Sequence, residues 1–247
     1  MGEIYSDFKI PEDSFFIRLD GWNFHSLSRK LRLEKPFDRF LAECLVETAR
    51  VFFKNFNPDL AFLFSDEMNL LLSRFTVFNR RLEKIDSVFA GLASSSLYRL
   101  LSRRYNDVPE ISFDCKVISI KGSEALEYLI WRQKESYRNC YNTYAQDCLI
   151  RKRGLEPRRA AEELRNVKLK DLKRLVQRYG VRLSQIPKWH ERGILMYWEH
   201  FSKEGFDPTR NRQVIAERRK IEVEWSPPIF DTRKGERLLR KLIRIKG

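Results

Sequence analysis

Leu60-Ala-Phe-Leu-Phe-Ser-Asp-Glu-Met-Asn-Leu-Leu-Leu-Ser73 decides how this chain is read, because two short apolar runs are interrupted there by Ser65-Asp66-Glu67. That pattern predicts a hairpin whose tight turn is acidic. Upstream, Ser14-Phe-Phe-Ile-Arg-Leu-Asp20 is apolar and aromatic and stops at an Asp-Gly pair, as a buried strand with Asp20 at its C-terminal tip would. Between the two, Asp38 to Phe56 sets Phe40, Leu41, Cys44, Leu45, Thr48, Phe52 and Phe56 three and four apart, a helix with Asp38 as its N-cap. Downstream, Glu83 to Arg104 reads as a second helix. Its small residues Ala90, Gly91, Ala93 and Ser94 to Ser96 allow close packing on a sheet, and Ser112 to Ile120 reads as a fourth strand.

The order is therefore β-α-β-β-α-β, an α+β class and the ferredoxin-like arrangement, in which one antiparallel sheet carries both helices on one face. Strands one and three are central neighbours in it, so the acidic turn and the tip of strand one meet at one sheet edge. Asp20, Asp66 and Glu67 are expected to converge.

Beyond this core, Ser123 to Arg153 predicts a long helix, Arg158 to Arg165 and Lys168 to Tyr179 shorter basic ones, and Ile194 to Phe201 a strand. After a turn at Gly205-Phe-Asp-Pro208, a partner strand runs from about Arg212 to Trp225. Charge divides the chain unevenly: the first 150 residues hold 21 basic and 21 acidic side chains, the remaining 97 hold 27 and 13, and the net charge is +14. We therefore expect two parts, the ferredoxin-like domain over 1–150 and a basic extension over 151–247 that meets a polyanion.

Several classes drop out. No apolar run approaches the ~20 residues of a membrane span, and the N-terminus lacks a signal-peptide pattern, so no membrane association and a cytoplasmic location are expected. Cys44, Cys115, Cys140 and Cys148 form no CxxC or Cys/His group, which argues against structural zinc. GxxxxGK[ST] and GxGxxG are both missing, so phosphates must be held by other means.

Three carboxylates brought together repel one another unless a cation compensates. Oxygen-only ligands suit Mg²⁺, which shares its remaining positions with water and substrate phosphates. Two such ions about 3.5–4 Å apart would serve the attacking and leaving oxygens of a phosphoryl transfer. Acids in turns are also common, so Asp20 and Ser65-Asp66-Glu67 equally fit solvated turns. The backbone N–H groups after Asp20, with Trp22, Phe24, His25 and Lys35, would suit a phosphate pocket.

IRLDGWNFHSLS, LEKPFD, LFSDEMNLLL, FNRRLEKIDSVFAGLASSSLY, FDCKV, YLIWRQKESYRNCYNTY and PKWHERGILMYWE together resemble the tRNA(His) guanylyltransferase family and its guanylyltransferase-like branch, in order and over nearly the whole chain. The resemblance implies a polymerase-like palm that adds nucleotides 3′-to-5′ at the 5′ end of tRNA, copying a template. The 3′-hydroxyl of GTP or another NTP attacks a 5′ phosphate that is already a triphosphate or has been activated with ATP. It implies that Asp20, Asp66 and the Gly21 carbonyl hold two Mg²⁺ ions, with Glu67 completing the catalytic acids. It also implies a nucleotide site of Gly21, Trp22, Asn23, Phe24, His25, Lys35, Asp38 and Ser65. Arg18, Arg80, Arg81, Lys84, Lys116, Arg132, Arg138, Asn139 and Asn142 match positions facing a second triphosphate or the tRNA end. A homotetramer is implied as well.

Eukaryotic members carry His-Ile-Asn-Asn-Leu-Tyr-Asn where this chain has Ser136-Tyr-Arg-Asn-Cys-Tyr-Asn142, and Arg where it has Trp22, so it looks closer to the archaeal or bacterial branch. That branch includes repair of truncated 5′ ends, which leaves repair and addition to tRNA(His) both open. A nucleotide cyclase on a palm-like sheet and a non-catalytic RNA-binding module are the competing readings.

Overall fold

The computed structural model describes residues 5, 7–11, 14–73, 77–121, 124–207 and 212–243. In chain order the elements are β1 (Phe15–Trp22), α1 (Phe24–Lys30), α2 (Arg39–Phe56), β2 (Leu60–Phe64), β3 (Glu67–Leu72), α3 (Leu82–Leu101), β4 (Ser112–Ser119), α4 (Glu124–Arg153), α5 (Pro157–Glu163), α6 (Leu169–Arg178), α7 (Lys188–Arg192), β5 (Ile194–Asp207), β6 (Arg212–Glu224) and α8 (Arg233–Leu242). One antiparallel sheet takes the order β4-β1-β3-β2-β5-β6. Its first four strands have the ferredoxin-like order read from the sequence.

Side-chain alternation along β1 sorts the two faces. Phe15, Ile17 and Leu19 point into a core closed by α2 and α3, where Phe52 and Phe56 stack on Phe89 at 5.3 and 4.5 Å between ring centroids. Phe16 points the other way and joins Phe62, Phe64 and Leu71 beneath Leu126 and Leu129 of α4 and Leu239 of α8. Each fully buried Leu or Phe here contributes about 1.5–3 kcal/mol of transfer free energy. A third cluster lies off the sheet, where Tyr141, Ala145 and Leu149 of α4 meet Ala160, Leu172 and Val176 of α5 and α6.

Several expectations are corrected. β1 runs two residues past Asp20 to Trp22, because Gly21 and Trp22 still pair with Phe113 and Ser112 of β4. Glu67 is the first residue of β3, paired with Phe64, so the hairpin turn is Ser65-Asp66 alone. Of the small residues on α3, only Ala93 and Ser96 are buried, and nothing lies within 4 Å of a Cβ placed on Gly91. The short helices α1, α7 and α8 carry too few apolar positions for periodicity to announce them. Ser123 and Pro208 lie outside the described residues.

The C-terminal hairpin extends the palm sheet, since β5 pairs with β2 from Leu60↔Tyr197 to Leu63↔Ile194. Gly193 starts it at a φ of 70°, where a Cβ would come within 2.6 Å of the Leu63 carbonyl, so a side chain there would push β5 off β2. Gln133 locks this junction. Its amide donates to the carbonyls of Arg192 and Pro228, and its oxygen accepts from the Phe230 N–H at 2.7 Å. Residue 150, where the charge balance changes, falls inside α4.

Candidate active site

β1 and the β2–β3 turn meet through one main-chain bond, in which the Gly21 N–H donates to the Asp66 carbonyl at 3.2 Å. Gly21 has to be glycine: a Cβ there would sit 2.4 Å from the Phe24 ring, which is buried against Phe113. Asn23 then takes a left-handed conformation (φ 57°), and its carbonyl accepts from the Ser26 and Leu27 N–H groups to start α1. The chain thereby reverses at Asn23, three residues after Asp20.

In the turn, Ser65 is also left-handed, with a φ of 51°. Burial raises the Asp66 carboxyl above the usual carboxylate range and the nearby charge of Asp20 adds to this, while a bond from Ser65 opposes both. Neither aspartate forms an ion pair among the described residues. Two close carboxylates beside a main-chain carbonyl fit Mg²⁺, which takes one or two carboxylates and fills its octahedron with water and phosphate.

Glu67 does not complete that cluster. It sits opposite Asp20 in the β1–β3 register but is buried, and Arg132 of α4 grips it with Nε at 2.9 Å and Nη2 at 2.5 Å. Asn69 donates to the same carboxylate at 2.7 Å and is itself held by the Tyr128 hydroxyl at 2.6 Å. Burial raises the Glu67 carboxyl and the Arg132 guanidinium opposes it. Among the described residues, no three Asp, Glu, His or Cys side chains gather as a metal cluster.

An open cleft of about 200 Å³ adjoins the turn, lined among others by His25, Lys35, Phe37, Ser65, Asp66 and Trp189. The structure brings His25, Lys35 and Ser65 together as expected, with Phe24 in the wall. Asp38 lines the cleft too, but its two oxygens accept the Leu41 and Glu34 N–H groups, so it caps α2 and has little left for a ligand. Trp22 and Asn23 face a separate pocket with Lys30 and residues 109–112, and Trp22 is 69% exposed. Phe37 and Trp189 supply an aromatic wall that the motif spacing does not single out. The signal is an aromatic one or two residues after a proline, Pro36-Phe37 in KPFD and Pro187-Lys188-Trp189 in PKWH.

Of the other basic positions, Arg18 and Lys116 face each other across β1 and β4 on the side of the sheet that holds Glu67. Arg18 Nε is buried without a hydrogen-bond partner, and Lys116 pairs with Asp114. Arg80, Arg81 and Lys84 stand at the start of α3, on the opposite side. Arg80 donates to the Pro11 carbonyl and Arg81 pairs with Glu83, and neither bond reaches Asp20 or Asp66. Arg132 is committed to Glu67. Arg138, Asn139 and Asn142 line a second groove between α4 and α5, and Asn139 also borders the first cleft.

The family model described as tRNAHis guanylyltransferase matches residues 3–121, and the one described as Thg1 C terminal domain matches residues 123–229. A tRNA(His) guanylyltransferase of Eremothecium gossypii is 26% identical over 201 residues, covering 77% of this chain and 84% of its own length. One from Schizosaccharomyces pombe is 29% identical over 203 residues, or 79% and 77%. The solved structure of a bacterial tRNA(His) guanylyltransferase (Thg1)-like protein in complex with ATP superimposes with a TM-score of 0.74 at 25% identity, covering 98% of this chain and 95% of that one.

Proposed function

Because the chain belongs to the tRNA(His) guanylyltransferase family, whose members are nucleotidyltransferases that add nucleotides 3′-to-5′, we propose that it extends the 5′ end of tRNA at the Asp20–Asp66 edge of its sheet. One observation carries the assignment: the Gly21 N–H to Asp66 carbonyl bond joins the two aspartates at the mouth of a cleft lined by His25, Lys35 and Ser65.

Asp20, Asp66 and the Gly21 carbonyl hold the divalent metal, read here as two Mg²⁺ ions. When bound, the metal supplies charge neutralisation and Lewis acidity toward phosphate oxygens. Lys35 and His25 meet the triphosphate of the incoming nucleotide, Ser65 orients Asp66 beside it, and Phe37 with Trp189 flanks its apolar part. The nucleotide's 3′-hydroxyl oxygen bonds to the phosphorus of the activated tRNA 5′ phosphate and gives its proton to water, while the bond to the leaving group breaks and pyrophosphate, or AMP from an ATP-activated end, departs with the electron pair. Arg18 and Lys116 lie beside Asp20 on the sheet face toward α4, where they oppose the charge of a second phosphate group. The bacterial relative's complex with ATP supports a nucleotide site in this fold.

Incubating 5′-truncated tRNAs and tRNA(His) with labelled GTP, ATP and Mg²⁺ should lengthen the RNA at its 5′ end, and the preferred RNA distinguishes repair from identity setting. A folded preparation that extends none of them, or that turns GTP into a cyclic product without RNA, overturns the proposal.

A further inference from the structure

The groove between α4 and α5 has a volume of about 510 Å³ and is lined by Arg138, Asn139, Asn142, Arg158, Arg165 and Asn166, with Glu135 and Glu162 on its wall. Arg158 is partly spent on Glu162 at 3.3 Å. Arg138, Arg165, Asn142 and Asn166 make no side-chain hydrogen bond or ion pair among the described residues. Asn139 accepts only a long 3.5 Å bond from Thr143, which leaves its amide N–H groups uncommitted. It also stands on the ridge shared with the cleft that holds Lys35 and Asp66. Two unpaired guanidinium groups and three amides thus open onto one groove that continues from the reaction site.

We infer that this groove is an RNA-backbone track, in which Arg138 and Arg165 each meet one phosphodiester of the tRNA strand leaving the reaction cleft. It rests on the reading of the chain as a tRNA 5′-end enzyme. The chemistry favours a phosphodiester over a second nucleoside triphosphate. Glu135 and Glu162 repel a tetra-anion strongly, whereas a singly charged phosphodiester fits between an arginine and a nearby carboxylate. Asn139, Asn142 and Asn166 offer donors and acceptors to ribose hydroxyls and base edges, so the groove also has a means of telling RNA from a bare anion.

The test is the salt dependence of tRNA binding by the full chain. Each phosphate contact contributes about 0.7–0.9 to the slope of log K against log salt, so Arg138→Gln/Arg165→Gln should lower the slope by roughly 1.4–1.8 and weaken binding of unrelated tRNAs alike. Arg138→Lys/Arg165→Lys, which keeps the charges, should restore most of the slope and shows that a loss in the Gln variant is not misfolding. An unchanged slope overturns the track, and so does a raised GTP KM with tRNA binding intact, which would make the groove a triphosphate site. Wild-type protein that never extends tRNA overturns the underlying function instead, whatever the slopes are.

Discussion

Asp66 carries a charge that the folded chain disfavours, since burial and Asp20 both raise its carboxyl. A group whose folded pKa is raised stabilises the protein less once pH climbs past its unfolded value, so without metal the ionised Asp66 costs stability at neutral pH. Asp66→Asn should therefore raise the melting temperature of metal-free protein and abolish the further rise that Mg²⁺ gives the wild type. Nucleotide addition should fall about 10²–10³-fold, the loss of several kcal/mol of transition-state stabilisation. A variant that melts lower, or still gains from Mg²⁺, would place the metal elsewhere. His190 behaves oppositely. Packed against Phe37 and Trp189 with Nδ1 2.9 Å from the Tyr144 hydroxyl, it is lowered by burial from 6.5 to about 4. Its neutral form is the folded one, so its contribution is complete above about 6.5 and is lost as pH falls from there toward about 4, by an amount on the order of 3 kcal/mol. Urea unfolding across that window should show the decline, and His190→Gln should flatten it.

Elements are joined here by buried polar bonds as well as by apolar contact. Arg132 of α4 and Glu67 of β3 form a desolvated pair behind Asp20, with Asn69 and Tyr128 completing its hydrogen bonds. Removing one partner of such a pair leaves an uncompensated buried charge, so Arg132→Met should cost about 3–5 kcal/mol in urea melts. The double change Glu67→Gln/Arg132→Met should recover a measurable part of it, and strictly additive effects would deny the coupling. The sequence marked this strand pair well, because apolar runs on either side of Ser65-Asp66 leave few alternatives. It placed Glu67 beside Asp20, where the β1–β3 register has it, but gave no hint of the counter-ion that Glu67 takes. Local order could not reveal that a helix 65 residues downstream supplies the counter-ion.

For the molecule as a whole, the second half completes a core that the first four strands leave half open. Phe16, Leu60, Phe62, Phe64 and Leu71 are buried only under α4, α8 and β5. A chain ending at residue 121 would expose that face as one contiguous apolar patch, so it should aggregate without a defined size in light scattering while the full chain keeps a single defined size. A monodisperse, cooperatively melting 1–121 fragment would contradict this. Charge is distributed differently from packing: the basic surplus lies after residue 150, but β5 and β6 after it extend the palm sheet. Among the described residues no helix is long and apolar enough to cross a membrane.

By itself the sequence determined the strand-helix order, the antiparallel palm, the nearness of Asp20 to the β2–β3 turn and the family, because apolar periodicity, turn chemistry and motif order are properties of neighbours along the chain. The tertiary structure alone decided which acids stay available. Asp20 and Asp66 form no ion pair among the described residues, Glu67 is taken by Arg132, and Asp38 is spent on capping α2. It alone also parted the basic residues between two grooves that share Asn139. The reason is physical: a side chain's charge is written in the sequence, but its partners come from elements folded against it, and those partners settle what it is free to bind.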